Sequence, residues 1–187
     1  LGLSAQQQTN YAFGGATSGS DNNTPGRQNL PGLQQQIASY EATNTSADPN
    51  ALYVVWAGAN DYLGGNTTNP SVPVSNLSTA VSTLASSGAK NILVANLPDL
   101  GKVPIANGNI QTEGLLSAAT QAHNLGLSAS LDSVSQQTNT NIIPLDINSL
   151  FNSAIAQPQQ FGLTNVTDAC LTSAGVCSNP NEHLFWD

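Results

Sequence analysis

Charged side chains are scarce in this sequence, and basic ones are scarcest. Charged residues make up 7% of its 187 positions, and three Lys and Arg residues stand against eleven Asp and Glu, for a formal net charge of −8. Binding to the phosphate backbone of a nucleic acid requires a cluster of basic side chains, which so few Lys and Arg residues cannot form. The same shortage argues against electrostatic docking to anionic lipid.

Long apolar runs and a metal-ligand set are also lacking. No run approaches the roughly 20 apolar residues that cross a bilayer as a helix, so no transmembrane segment is predicted. The two cysteines, Cys170 and Cys177, lie close together in a loop rich in Ser, Gly and Asn. We interpret them as a local disulfide, which indicates an oxidising compartment, with two free thiols as the alternative. Even with His183 nearby they cannot complete a four-ligand zinc site, so no metal or other cofactor is expected.

The chain contains no Met, begins at Leu1 and has no basic start of the kind that signal peptides carry. We therefore expect a processed, truncated or partial chain. The abundance of Ser, Thr and Asn beside so few charges is typical of secreted, cell-surface or periplasmic proteins. The length and the 39% of hydrophobic residues allow one domain with a core of its own, so residues 1–187 are expected to form a single domain.

Apolar patterning predicts strands that alternate with amphipathic helices. Such alternation predicts an α/β fold in which a parallel sheet carries helices on both faces. Pro144 removes a hydrogen-bond donor from its strand, which places that strand near an edge of the sheet. The predicted strands are 10–13, 52–57, 91–96 and 141–145, and the predicted helices are 33–41, 74 to a stop at Gly88, 113–137 and 147–156.

The most informative stretch is the predicted buried strand 52–57, which leads directly into Gly-Ala-Asn-Asp at 58–61. The carboxyl ends of the strands are where open parallel sheets bind ligands. Asn60 is therefore predicted at the functional edge of the sheet. The strand predicted at 10–13 likewise leads into Gly14 and Gly15, which allow positive φ and close approach of a ligand to their amides. A plain turn is the alternative interpretation of these two glycines.

Three segments together resemble conserved blocks of the SGNH (GDSL-type) esterases and lipases. Residues 10–17 (NYAFGGAT) are similar to the second block of that family, and residues 58–61 (GAND) to its Gly-x-Asn-Asp third block. Residues 184–187 (LFWD) are similar to the start of the last block, Asp-x-x-His. Supporting matches lie at 91–100 and from Pro144 to Cys170, so the resemblance spans nearly the whole chain in the family's order and spacing.

This resemblance implies the SGNH hydrolase fold, a three-layer α/β/α sandwich around a parallel, flavodoxin-like sheet, incomplete here at its N-terminus. It implies a small-molecule or lipid ester as substrate and acyl transfer through a serine nucleophile, whose proton is taken by a His that an Asp orients. In the family the oxyanion is bound by the serine amide, a Gly amide of the second block and the Asn side chain of the third. Carried over, these groups are Gly15 and Asn60, and Asp187 matches the catalytic Asp. Asp61 is interpreted as a structural residue that forms a turn or hydrogen bonds beside the oxyanion hole.

Two parts of the family's site have no match between Leu1 and Asp187. The Gly-Asp-Ser block with the nucleophile precedes the second block in the family, and the His lies three positions after the Asp. We therefore expect a chain truncated at both ends, inactive by itself, from a complete protein that is a serine esterase. Ser20, in a scrambled Gly-Ser-Asp sequence after Gly15, is not expected to be the nucleophile.

Other candidate residues are assigned structural roles. His183 is interpreted as a surface or packing residue, with substitution for the catalytic His as the alternative. His123 lies on the apolar stripe of the long helix and is expected in the core. Asp99 is expected to form a turn rather than to act as a general base. Trp56 and Trp186 are expected in the core rather than at a substrate platform.

Two other functions are compatible with the sequence. Absence of the Ser and His favours a non-catalytic secreted or surface binding domain of the same fold. An acyltransferase would use the same triad with an alcohol in place of water, and the choice of acceptor depends on pocket shape and on exclusion of water.

Overall fold

The structure is a computed structural model that describes residues 9–24, 26, 29–64 and 67–186. The chain divides into two compact units. Unit 1 contains the residues up to Ala95 together with Leu125–Leu145, and unit 2 contains Asn96–Asn124 and the residues from Asp146 onward. Among the described residues, no helix combines the length and the apolar character that a bilayer crossing requires.

Unit 1 is built on a parallel sheet in the order β1-β2-β3. Neighbouring strands are in register, so that Val54 of β1 pairs with Leu93 of β2, which pairs with Ile143 of β3. Before β3 the unit contains the C-terminal part of a long helix, α4, whose first part belongs to unit 2. The elements are α1 (Leu33–Thr43), β1 (Leu52–Val55), α2 (Ala59–Leu63), α3 (Ser71–Ser86), β2 (Asn91–Ala95), α4 (Ile110–Thr138) and β3 (Asn141–Leu145).

The core of unit 1 lies between one face of this sheet and the helices α1, α3 and α4. Successive side chains of a strand point to opposite faces, so Val55, Ile92 and Val94 share the buried face. Helix α3 presents apolar residues three and four positions apart to this face, which gives it a continuous buried stripe. Its buried residues are Pro73, Val74, Leu77, Ala80, Val81, Leu84 and Ala85.

Unit 2 contains the first part of α4, a short helix α5 (Ile147–Ala156) and several short strands. Strand β4 (Asn165–Ala169) pairs in parallel with β7 (His183–Phe185). Between them, β5 (Leu171–Thr172) and β6 (Gly175–Val176) form an antiparallel hairpin. The disulfide Cys170–Cys177 closes this hairpin at its base, which confirms the predicted pairing.

The structure confirms the mixed α/β class with a parallel sheet. The bounds of β3 and of α5 are those predicted, and β3, which holds Pro144, lies at an edge of the sheet. The other predicted helices and the strands at 52–57 and 91–96 are present with ends shifted by a few residues.

Three predictions about buried or extended segments are wrong. Residues 10–13 form no strand, because the backbone N–H of Ala12 bonds to the side chain of Asn10 instead of a neighbouring strand. Strand β1 is buried on one face only: its outward residue Val54 is 66% exposed, because the helices of the core pack on the opposite face. Trp56 continues this outward row and is 56% exposed, and Trp186 is 52% exposed, so neither lies in the core.

Candidate active site

The backbone at Gly15 strongly favours glycine. Gly15 has a φ of +76°, in the left-handed region that other residues rarely adopt. A Cβ at this position would overlap the Thr24 Oγ1 atom and come within 2.8 Å of Asn22 Oδ1. The two glycines at 14 and 15 therefore form a turn, and because residue 15 has no side chain, none covers the Gly15 N–H.

Residues 22–24, called loop 22–24 below, donate hydrogen bonds to the carbonyl groups of this turn. The Gly14 carbonyl accepts hydrogen bonds from Asn22 Nδ2 at 2.9 Å and from Thr24 Oγ1 at 3.0 Å. The Gly15 carbonyl accepts the backbone N–H of Asn23 at 2.8 Å. Asn22 is 3% exposed, and its Oδ1 accepts the Thr24 N–H at 2.9 Å. The peptide planes on both sides of Gly15 are thus fixed by side chains and backbone of the same loop.

Asn60 reaches the same turn from the end of β1. Gly58, with a φ of 114°, lets the chain bend sharply from β1 into α2, which carries Asn60 on its first turn. The Asn60 Nδ2 atom donates to the carbonyl of Ala16 at 2.9 Å, one residue beyond Gly15. A side-chain amide nitrogen carries two hydrogens, so Asn60 can donate to Ala16 and to a ligand at once.

A buried polar network ties the segment after Gly15 to α2. The Asp61 carboxylate accepts the Ser18 N–H at 2.8 Å and the Ser18 hydroxyl at 2.6 Å. The Ser18 Oγ atom also accepts from Asn76 Nδ2, and the Ser18 carbonyl accepts from Gln34 Nε2. Ser18 is fully buried and Asp61 is 5% exposed. This bonding confirms that Asp61 has a structural role beside the site.

A cleft of about 220 Å³ opens beside Gly15 and Asn60. Its wall is formed by residues 12–16 and 56–60 together with Leu33 and Gln36, none of which is charged. Phe13 and Trp56 give the cleft large apolar surfaces, so Trp56 lines a candidate ligand site instead of the core. Neutral hydrogen-bond donors beside an uncharged apolar wall suit an uncharged ligand that develops negative charge on one oxygen.

Of the predicted site residues, the structure brings Gly15 and Asn60 together at this cleft. Asp187 lies outside the described residues. Ser20 is exposed, and its carbonyl accepts the backbone N–H of Gly32 at 3.3 Å.

The other candidate residues, His123, Asp99 and His183, do not line the cleft and are described by their burial and hydrogen bonds. His123 is fully buried, and burial lowers its pKa from 6.5 to about 4, which confirms its place in a core. Asp99 accepts the Gly101 N–H and the Ser117 hydroxyl, so it caps a 3₁₀ turn as predicted. His183 is half-buried, with its Nδ1 atom 3.2 Å from the Asn179 carbonyl.

Sequence reasoning does not identify Asn22, Thr24 and Ser18 as partners of the site. Asn and Thr after a glycine turn indicate that side chains bond to nearby backbone, but not which carbonyl they reach. Ser18 meets its partner Asp61 across 43 positions of sequence.

Comparisons with known proteins agree with this geometry. A sequence model of the family described as GDSL-like Lipase/Acylhydrolase matches residues 1–187. A protein of Pseudomonas putida described as an uncharacterized protein in the trpE-trpG intergenic region is 34% identical over 83% of this chain and 26% of its own length. Phosphatidylcholine-sterol acyltransferase of Aeromonas hydrophila is 33% identical over 86% of this chain and 49% of its own length. Esterase EstA of Pseudomonas aeruginosa is 35% identical over 72% of this chain and 21% of its own length. The chain therefore spans half or less of the length of these relatives.

Proposed function

Because this chain belongs to the GDSL-like lipase/acylhydrolase family, we propose that the complete protein hydrolyses carboxylic esters through a serine acyl-enzyme. The observation that carries the proposal is the hydrogen bond from Asn60 Nδ2 to Ala16, which brings a neutral side-chain amide beside the Gly15 peptide at an uncharged cleft. Relatives named as esterases, such as EstA of Pseudomonas aeruginosa, support the same reaction class.

The mechanism assigns each group of the site a distinct task. A serine from the family's Gly-Asp-Ser block attacks the ester carbonyl carbon while a His takes its proton, and Asp187 orients that His. The carbonyl oxygen becomes an oxyanion, which the Gly15 N–H and the Asn60 amide stabilise as hydrogen-bond donors. The His then protonates the leaving alcohol. Water next attacks the acyl-enzyme while the His takes a proton from it, and the His returns this proton to the serine as the acid is released. Because Gly15 and Asn60 are neutral, they stabilise the charge when it forms without binding an anion beforehand.

Residues 1–187 constitute, in this proposal, one SGNH hydrolase-like domain that holds the Gly, Asn and Asp of the site. They contain no match to the Gly-Asp-Ser block, and the position that the family's His would occupy lies outside them. We therefore expect these residues alone to show no ester hydrolysis.

The proposed location is outside the cytoplasm, in a secreted, cell-surface or periplasmic protein. The disulfide Cys170–Cys177 supports it, because such bonds persist in oxidising compartments. The low content of charged residues, 7%, agrees with this location.

Hydrolysis of p-nitrophenyl esters by the complete protein tests the function. Asn60→Ala should lower kcat by about 10²–10³-fold, the usual cost of losing one oxyanion donor, with little change in KM. Asn50→Ala is the matched control, because Asn50 is exposed and lies outside the cleft. Absence of turnover by the complete protein would leave a non-catalytic binding domain as the better explanation. An unchanged kcat in Asn60→Ala would remove Asn60 from the mechanism.

Acyl transfer to an alcohol is the second candidate function. The relative from Aeromonas hydrophila is named phosphatidylcholine-sterol acyltransferase, and the same oxyanion donors serve both reactions. Adding an alcohol acceptor to the ester assay separates the two, because a transferase accumulates the new ester whereas a hydrolase accumulates free acid.

A further inference from the structure

The peptide between Gly14 and Gly15 presents opposite groups on its two sides. In a trans peptide, the carbonyl of one residue and the N–H of the next point in opposite directions. The Gly14 carbonyl points toward loop 22–24, where Asn22 and Thr24 donate to it. The Gly15 N–H therefore points away from that loop. Gly14 and Gly15 both line the cleft, whereas Asn22 and Thr24 do not.

A peptide flanked by two glycines has little intrinsic preference for one orientation. Neither residue has a Cβ, so rotation of the whole plane meets few steric barriers. A rotated plane would turn the carbonyl oxygen toward the cleft, where it would repel an oxyanion that the N–H is meant to stabilise. The orientation must therefore be held by hydrogen bonds, and the Gly14 carbonyl receives two of them.

We propose that Asn22 and Thr24 are positioning residues that aim the Gly15 N–H into the cleft by holding the Gly14 carbonyl from behind. The inference rests on the proposed function, in which the Gly15 amide stabilises the oxyanion. Neither residue touches the substrate, and both act through the Gly14–Gly15 peptide. The Asn22 side chain is suited to this task because it is 3% exposed and its Oδ1 is itself held by the Thr24 N–H.

The chain offers variants that remove each donor with little change of shape. Thr24→Val removes the hydroxyl, and Thr24→Ser keeps it. Asn22→Asp keeps the acceptor for the Thr24 N–H but places a carboxylate oxygen where the donor stood. Thr45→Val and Asn50→Asp are the matched controls, since both residues are exposed and lie outside the cleft.

Kinetics of the complete protein on a p-nitrophenyl ester, normalised to the active serine by covalent titration, measure the effect on catalysis. Thr24→Val should lower kcat about 10-fold and Asn22→Asp about 100-fold, because misorienting a donor costs no more than the roughly 10²–10³-fold of losing it. KM should change by less than about twofold, because an oriented N–H stabilises the transition state more than the bound ester. Thr24→Ser should restore kcat to within about twofold of the wild type.

A spectroscopic measurement tests the orientation without relying on activity. Labelling the complete protein with ¹³C′-glycine and ¹⁵N-glycine selects Gly-Gly peptides, of which residues 1–187 hold Gly14–Gly15 and Gly64–Gly65. Gly14→Ala removes the labelled Gly14 carbonyl and so identifies the Gly14–Gly15 signal, and it leaves space for the added methyl because nothing lies within 4 Å of a Cβ at Gly14. Thr24→Val and Asn22→Asp should shift the Gly14 ¹³C′–Gly15 ¹⁵N signal, whereas Thr45→Val should not.

The outcomes separate this inference from the proposed function. A shifted signal with reduced kcat supports the inference, and an unmoved signal in both variants overturns it. An unchanged kcat of Thr24→Val and Asn22→Asp in an active enzyme also overturns it. If the wild-type protein hydrolyses no ester, the proposed function fails, and the labelled signal alone then decides whether Asn22 and Thr24 set the orientation of the peptide.

Discussion

Asp61 accepts both the backbone N–H and the hydroxyl of Ser18, at 2.8 and 2.6 Å, across 43 positions of sequence. Ser18 follows Gly15 by three residues and Asp61 follows Asn60 directly. The pair therefore fastens together the two segments that carry the proposed oxyanion donors. Because both side chains are buried, the bonds are shielded from competing water.

Removal of the Ser18 hydroxyl should destabilise the complete protein. Ser18→Ala leaves the buried Asp61 carboxylate with one charge-assisted donor fewer, which should lower the free energy of unfolding by about 2–3 kcal/mol. Urea unfolding at neutral pH measures this loss. Ser46→Ala is the control at an exposed serine and should stay within about 0.5 kcal/mol of the wild type. Equal stability of the two variants would contradict the structural role of Asp61.

Gly15→Ala should be more harmful than an alanine at another glycine of the same conformation. Gly162 has a φ of +71° and nothing within 4 Å of an added Cβ, whereas a Cβ at Gly15 would overlap Thr24 Oγ1. Gly162→Ala should cost about 1 kcal/mol of stability from backbone strain alone. Gly15→Ala should cost at least about 1 kcal/mol more and should also reduce kcat, because the turn must shift. Similar losses in the two variants would show that space at Gly15 is not limiting.

Acid should weaken the fold partly through His123. Burial lowers its pKa from 6.5 to about 4, so between these values the unfolded chain binds more protons than the folded one. The stability that this group contributes is complete above pH 6.5 and is lost as the pH falls toward 4, by about 1.4 kcal/mol per pH unit. Urea unfolding at pH 7 and pH 5 should show a smaller decrease for His123→Phe than for the wild type. An equal decrease in His123→Phe and in the wild type would contradict the prediction.

Reduction of the disulfide should destabilise the protein moderately. Cys170–Cys177 closes a short loop with a sequence separation of 7, for which the chain-entropy model gives about 2–3 kcal/mol. Unfolding of the complete protein with and without dithiothreitol measures the effect. The double variant Cys170→Ala/Cys177→Ala should match the reduced wild type and should not respond to the reductant. A wild-type protein insensitive to dithiothreitol after complete reduction would contradict the prediction.

Local pattern was enough to predict those elements whose signals are contained in a few residues. Helix α5 (Ile147–Ala156) begins after Asp146, whose carboxylate accepts the Ser149 N–H as an N-cap, and β3 is a compact apolar run that precedes it in the sequence. Gly15 and Asn60 are predicted as site residues because short blocks of sequence carry them, and the structure brings both to one cleft.

Features that depend on distant partners could not be predicted in the same way. The large apolar side chain of Trp56 indicates a preference for burial, but its exposure depends on which face of β1 the helices cover. Residues 10–13 alternate as a strand would, yet the pattern does not show whether a neighbouring strand is there to accept their hydrogen bonds. Asn22 and Thr24 contact Gly14 because the chain turns back after residue 18, and local propensities do not predict the path of that turn.

The buried amide of Asn22 also bears on how the protein is produced. Asn22-Asn23-Thr24 has the Asn-x-Thr pattern that eukaryotic secretory cells glycosylate, and the sugar attaches to the Asn Nδ2 atom. In the folded protein this atom donates to Gly14 at a residue that is 3% exposed. A glycan added before folding would occupy the space that loop 22–24 needs against the turn. Bacterial expression, or a host without this modification, therefore preserves the turn, whereas a yeast or mammalian secretory host would put it at risk.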